Sequence, residues 1–238
     1  MPRTPIWKSI AETLRREIAA GHYRPGDKLP TEAQMASRFG VNRHTVRHAI
    51  SALVDESLVH TRRGAGAFVA QVPTDYPIGK RVRFHQNVAA AGRIPAKRVL
   101  SVETRPASAR ERDALALDAD ALVHVYDGLS LADDHPIALF RSVFPAALFP
   151  DLPQALRRSA SVTHALAAAG VTDYTRASTR LTARAASATQ ALHLRIAEGA
   201  PILRSVGINV DGSARPVEYG RTWFAGDRVT LTFDPGQV

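Results

Sequence analysis

Apolar residues return at every fourth position early in the chain, at Ile6, Ile10, Leu14 and Ile18, with Lys8, Glu12, Arg15, Arg16 and Glu17 between them. That period builds a helix with one dry face, and Gly21 gives it a place to stop. After the turn-forming run Arg24-Pro25-Gly26-Asp27-Lys28-Leu29-Pro30, Thr31 stands three residues before Gln34, the spacing of a capping box. A second helix is predicted from there to Phe39, closed by Gly40. Asn42 caps a third, in which Val46, Ala49, Ile50 and Leu53 fall at i, i+3, i+4 and i+7 and turn inward. Arg43, His44, Arg47 and His48 are then left facing outward. Residues 58–61 and 67–69 read as two short strands joined by Arg62-Arg63-Gly64-Ala65-Gly66, a turn that glycine accommodates.

Gln71 to Gly79 holds two prolines and a glycine and reads as a linker, so the expected division is 1–72, a linker at 73–79, and a second domain over 80–238. In that second domain the pattern alternates over 99–102, 122–131, 137–144, 175–183, 202–210 and 216–224, with helical spacing near 84–91 and 161–169. Asp133-Asp134-His135-Pro136 and Asp211-Gly212-Ser213 look like hairpin turns. The fold class expected is therefore α+β, with a mainly antiparallel sheet.

The 238 residues carry 31 Lys and Arg against 22 Asp and Glu, a formal net charge of +9 that is densest at the N-terminus. Such an excess attracts polyanions, and nucleic acid is the first partner to consider. There is no cysteine, so neither a disulfide framework nor a thiolate metal site is expected, which fits a reducing cytoplasm. No signal-peptide pattern and no apolar run of spanning length is present, so no membrane partner is expected.

Charge and pattern together point to DNA. A helix set after a tight turn fits the major groove with its first residues against base edges. Arg43 and Arg47, one turn apart, each offer a planar donor fork suited to guanine or phosphate. Asn42, His44, Thr45 and the cap residue Thr31 add shorter polar groups. Arg62 and Arg63 at a hairpin tip can reach a neighbouring groove, with Gly64 and Gly66 allowing close approach. Each arginine alone could merely solvate a surface; three helices, two caps and a basic hairpin make the combination specific. His44 and His48 have the spacing of a metal pair, but no third ligand accompanies them, and neither a metal nor a cofactor is expected.

Residues 6–70 resemble the GntR family of bacterial regulators, through Ile6-Trp7, the segment from Tyr23 to Glu32, and Val41-Asn42-Arg43-His44-Thr45-Val46-Arg47. The remainder resembles the effector-binding half of the HutC branch, called UTRA, whose fold is similar to chorismate lyase. Asp75-Tyr76-Pro77, Arg83-Phe84-His85-Gln86-Asn87, Leu100-Ser101-Val102 and Arg105-Pro106-Ala107-Ser108 are most similar to phosphonate-metabolism regulators. The resemblance implies a winged helix-turn-helix that reads DNA through Asn42, Arg43, His44 and Arg47, with Gly64 as a wing contact. It also implies an arginine in some members where this chain has Ala33. It implies a homodimer on an inverted-repeat operator, more often a repressor. In HutC-type sensors an Arg-x-Arg strand motif and two serines opening a helix hold the effector's phosphate; this strand reads Gly128-Leu129-Ser130, while Ser159 and Ser161 match the serines.

A phosphate or phosphonate needs several donors converging in one place. Arg83, Arg141, Arg180, Arg184 and Arg221 are available, Phe84 and Asn87 share the Arg83 segment, and Glu218 and Tyr219 suit an amine or hydroxyl. The expected ligand is a small anion, with a sugar phosphate or an amino-acid catabolite as alternatives. An enzyme is the rival class, since the implied fold also hosts a lyase and residues 128–132 distantly resemble a nucleophile elbow. Ser130 reads as a strand residue, however, and the chain is expected not to be an enzyme. A constitutive architectural DNA-binding protein would not need so large a second domain.

Overall fold

The computed structural model describes residues 5–62, 64–70, 73–81 and 83–233. The chain divides into two compact units, Met1–Val72 and Pro73–Val238.

The first unit packs three helices, α1 Ile6–Ala19, α2 Glu32–Phe39 and α3 Arg43–Asp55, with the antiparallel hairpin β1 Val59–Arg62 and β2 Gly66–Val69. Leu14, Met35, Val46 and Leu53 close its core with no exposed surface. Each such burial contributes roughly 1.5–3 kcal/mol. The Thr31–Gln34 capping box starts α2, and Gly40 ends it in the left-handed region at φ 64°. That conformation favours glycine, so the turn into α3 is fixed locally. β1 continues through Arg62, which therefore belongs to a strand and not to the turn where the sequence had placed it.

The second unit opens with β3 Thr74–Pro77 and α4 Phe84–Ala90, then β4 Pro95–Pro106, α5 Ala109–Leu115, β5 Leu122–Ala132 and β6 His135–Pro145. It continues through α6 Leu152–Ser159, α7 Val162–Ala168, β7 Tyr174–Ala185, α8 Ala188–Leu194, β8 Pro201–Asp211, β9 Pro216–Ala225 and β10 Val229–Thr232. Six strands form one antiparallel sheet in the order β4-β5-β6-β9-β8-β7. The segment expected to be linker instead carries β3, which pairs in parallel with β10 from the far end of the chain. A strand whose partner is so distant leaves no local pattern, and its prolines pointed to a loop.

Because side chains alternate across a strand, the sheet has two chemically distinct faces. One buries Phe140, Phe144 and Tyr126 beneath Leu152 and Leu156 of α6 and Leu166 of α7, with Val88 of α4 packing on Phe224 further along. The other buries Val143 and Tyr219 beneath Leu115 of α5, and packs Leu139 and Trp223 on Leu194 of α8. Among the described residues no helix is long and apolar enough to cross a membrane.

Candidate nucleic-acid interface and ligand cavity

On α3 the inward set is buried as its spacing requires, and Asn42, Arg43, His44, Arg47 and His48 are exposed. Asn42 Oδ1 accepts from the Thr45 amide at 2.8 Å and from its hydroxyl at 2.9 Å, so these two side chains fix the start of the helix before any ligand arrives. The Thr31 hydroxyl is likewise committed to the α2 cap, donating to Gln34 Oε1 at 2.9 Å. Arg47 is held by Glu32 through two parallel bonds, Nε to Oε1 at 3.0 Å and Nη2 to Oε2 at 2.8 Å. The guanidinium in turn lowers the Glu32 carboxyl below its ordinary pKa. His48 stacks on Trp7 with ring centroids 4.1 Å apart. In the hairpin Arg62 lies over the Phe68 ring at 4.7 Å. Gly64 and Gly66 take φ 74° and 103°, and a Cβ on Gly66 would press on Lys28 at 3.2 Å. Arg63 lies outside the described residues.

The second unit holds a cavity of ≈ 500 Å³ on the α6–α7 face of the sheet. Of the effector candidates, Arg83, Phe84, Ser130, Ser159, Ser161 and Glu218 line it. Ser130 sits mid-strand, paired between Lys97 and Ala138, and not at the strand-to-helix bend a nucleophile elbow requires. Asn87 does not reach in: its amide donates to Pro77 O at 3.0 Å and ties α4 to β3. Arg141, Arg180, Tyr219 and Arg221 are also displaced from the expected site, because the two-residue period of their strands points them to the opposite face. There Arg141 meets Asp127, Nε to Oδ1 at 2.7 Å and Nη2 to Oδ2 at 2.8 Å, which is the partner its position in an apolar pattern called for. Arg221 stands opposite it in the register and 3.6 Å from Glu111, and burial lowers the Arg221 guanidinium's pKa.

Several cavity residues escaped the sequence reading. Lys97 of β4 lies 4.5 Å from the centre of the Phe140 ring and 5.5 Å from that of Phe84. Burial pushes its ammonium down to about 8, against the opposing pull of Glu218. Arg176 of β7, Tyr76 of β3, and Ser142, Ser205 and Asn209 complete the polar wall. Glu218 is buried, accepting from Ser142 Oγ at 2.6 Å and Asn209 Nδ2 at 2.7 Å. One sequence signal was available: Gly207 and Gly220 interrupt otherwise regular strands, which marks a place where another group comes close.

Comparison with known proteins fits this division. The model of the bacterial regulatory proteins of the gntR family matches residues 7–69, and the UTRA domain model matches residues 90–230. The chain belongs to the GntR family. An HTH-type transcriptional regulator of Rhizobium meliloti strain 1021 is 36% identical to it over 230 residues, covering 96% of this chain and 94% of the relative. The probable transcriptional regulator PhnF of Escherichia coli K12 is 34% identical over 236 residues, with 96% and 94% covered. The HTH-type transcriptional repressor NagR of Bacillus subtilis 168 is 27% identical, with 95% and 93% covered. The crystal structure of PhnF from Mycobacterium smegmatis shares the fold at a TM-score of 0.65 and 24% identity, over 94% of this chain and 97% of that one. This GntR-family chain is thus a transcriptional regulator that pairs a winged helix-turn-helix with an effector-binding UTRA domain.

Proposed function

We propose that this GntR-family protein is a homodimeric repressor that leaves an inverted-repeat operator when a small phosphate- or phosphonate-like anion enters the UTRA cavity. The observation that carries the reading is the make-up of that cavity, where Lys97 and Arg176 share the lining with a single carboxylate, Glu218, and Arg83 beside them is held by Tyr174 and Asp173. Oxyanions are bound where such donors converge out of water. The likeness to PhnF over nearly the whole chain supports a phosphonate-like ligand in particular. On the DNA side, Arg43, His44, Arg47 and Asn42 are the proposed base and backbone contacts, with Arg62, Arg63, Gly64 and Gly66 forming the wing grip and Thr31 and Thr45 holding the two helix starts. Asp75 and Tyr76 lie in β3 directly after the division of the chain, and Tyr76 lines the cavity, so a ligand there touches the strand that continues from the DNA-binding unit.

The test is release of a labelled promoter fragment, read by fluorescence anisotropy, while phosphate, alkylphosphonates and sugar phosphates are titrated in turn. At least one should weaken operator binding at a concentration that saturates the cavity. Operator affinity indifferent to every anion would remove the proposed effector class.

A further inference from the structure

We infer that Lys97 and Arg176 are the anion clamp of the cavity, and that Glu218 beside them selects an oxyanion that also carries an ammonium group. This rests on the reading that the cavity holds the effector, and goes further in naming which groups meet it and what the ligand's other end must be.

β5 contributes no cation. A Cβ at Gly128 would stand 2.5 Å from Phe140 Cζ and 2.8 Å from the Arg98 carbonyl, so the Phe140 ring fills the space a side chain there would need. Ser130, two residues on, is neutral and buried. Arg83 is already spent, since its guanidinium lies 3.6 Å over the Tyr174 ring and donates to Tyr174 O at 2.9 Å and Asp173 at 3.3 Å. Two cations remain. Among the described residues no carboxylate comes within ion-pair distance of Lys97, whose ammonium is bounded by the faces of Phe140 and Phe84. Arg176 lies across Gly207: its Nη1 fills the place a Cβ would take, with Cζ 2.8 Å away, and its Nε is buried with no hydrogen-bond partner.

The register brings the negative group to the same floor. Arg176, Asn209 and Glu218 form one row across β7, β8 and β9, and Gly207 pairs directly with Gly220 in the adjacent row. Glu218 Oε1 reaches to 3.7 Å from the Cβ position of Gly220. Guanidinium and carboxylate thus lie over neighbouring glycines of adjacent strands. Glu218 accepts only from neutral donors, Ser142 and Asn209, and no cation among the described residues makes contact with it. A plain anion on Lys97 and Arg176 would be repelled by that carboxylate in a site of low dielectric. A ligand bearing an ammonium a few bonds from its oxyanion satisfies all three charges, and such a ligand is either an aminoalkyl phosphonate or an aminoalkyl phosphate ester.

Calorimetry on the full-length protein tests this with 2-aminoethylphosphonate, O-phosphoethanolamine, propylphosphonate, which replaces the ammonium by methyl, and inorganic phosphate. The expected result is binding of one or both amino compounds at least about tenfold tighter than propylphosphonate, a gap of one hydrogen-bonded charge. Which amino compound binds more tightly tells the phosphonate source from the ester. E218Q removes the charge, with the Gln oxygen still accepting from Asn209 and its amide donating to the Ser142 hydroxyl in a reversed bond, and should bring that ratio close to one. K97M and R176M should each weaken all the anions about tenfold or more, and G207A should do the same by displacing Arg176; a cooperative thermal unfolding transition and a circular-dichroism spectrum like those of the wild type show that the variants are folded. Equal affinity for propylphosphonate and both amino compounds in the wild type overturns the role of Glu218. Unchanged anion affinity in K97M and R176M overturns the clamp. If no probe binds while another metabolite releases the operator, the clamp fails and the regulatory reading stands; if the probes bind as expected without altering operator affinity, the clamp stands and the effector reading fails.

Discussion

Arg47 is anchored on Glu32 by a fork of two bonds, whereas Arg43 stands exposed one turn earlier on the same face of α3. To read a base, Arg47 must exchange its carboxylate for the groove, while Arg43 has no such partner to give up among the hydrogen bonds described. Replacing Arg43 or Arg47 by Ala should each cost specific operator binding about 1 to 3 kcal/mol if the side chain reads a base edge. Anisotropy against operator and scrambled DNA checks this, and an equal loss on both sequences would reassign the residue to phosphate. The residues of this interface were legible in the sequence because caps and helical period are local. Lys97 and Arg176 were not, since next to Arg98 and Thr175 they look like ordinary strand surface. Only the sheet decides which of two adjacent side chains points into the cavity.

At the scale of elements, α5 shows how a short helix is fastened. Glu111 accepts from the Ser108 amide at 2.9 Å and from the two terminal guanidinium nitrogens of Arg105, Nη1 and Nη2, at 2.8 Å each, with Arg221 at 3.6 Å. The Arg105 hydrogen bonds, helped by Ser108 and opposed by burial, hold its carboxyl at about 2. A carboxylate depressed on folding stabilises the native state fully above its ordinary value of 4.5 and loses that contribution as pH falls toward 2. Glu111→Gln should therefore cost about 2 to 3 kcal/mol at neutral pH and flatten the acid limb of the stability profile between those values, as urea unfolding at a series of pH values would show. Ser108 and Glu111 have the spacing of a capping box that could have been read in advance. The β3–β10 pair could not, because the two strands meet from opposite ends of the second unit.

For the whole molecule the governing relation is linkage between two binding events. An effector that loosens the operator must itself bind less tightly when operator is present, by the same factor. Calorimetric titration of the effector with and without saturating operator should give matching factors, and equal ligand affinity in both states would deny that the UTRA cavity controls the DNA-binding unit. The basic balance, the capped three-helix pattern with its hairpin, and the alternating segments of an antiparallel sheet were determined by the sequence alone, since each rests on contacts between near neighbours or on a period of two or 3.6 residues. What only the tertiary structure decided is the composition of the cavity. The expected arginines 141, 180 and 221 turned to the far face, and Lys97, Arg176 and Glu218 came together from β4, β7 and β9, because strand order and register, which no local pattern encodes, set which side chains share a floor.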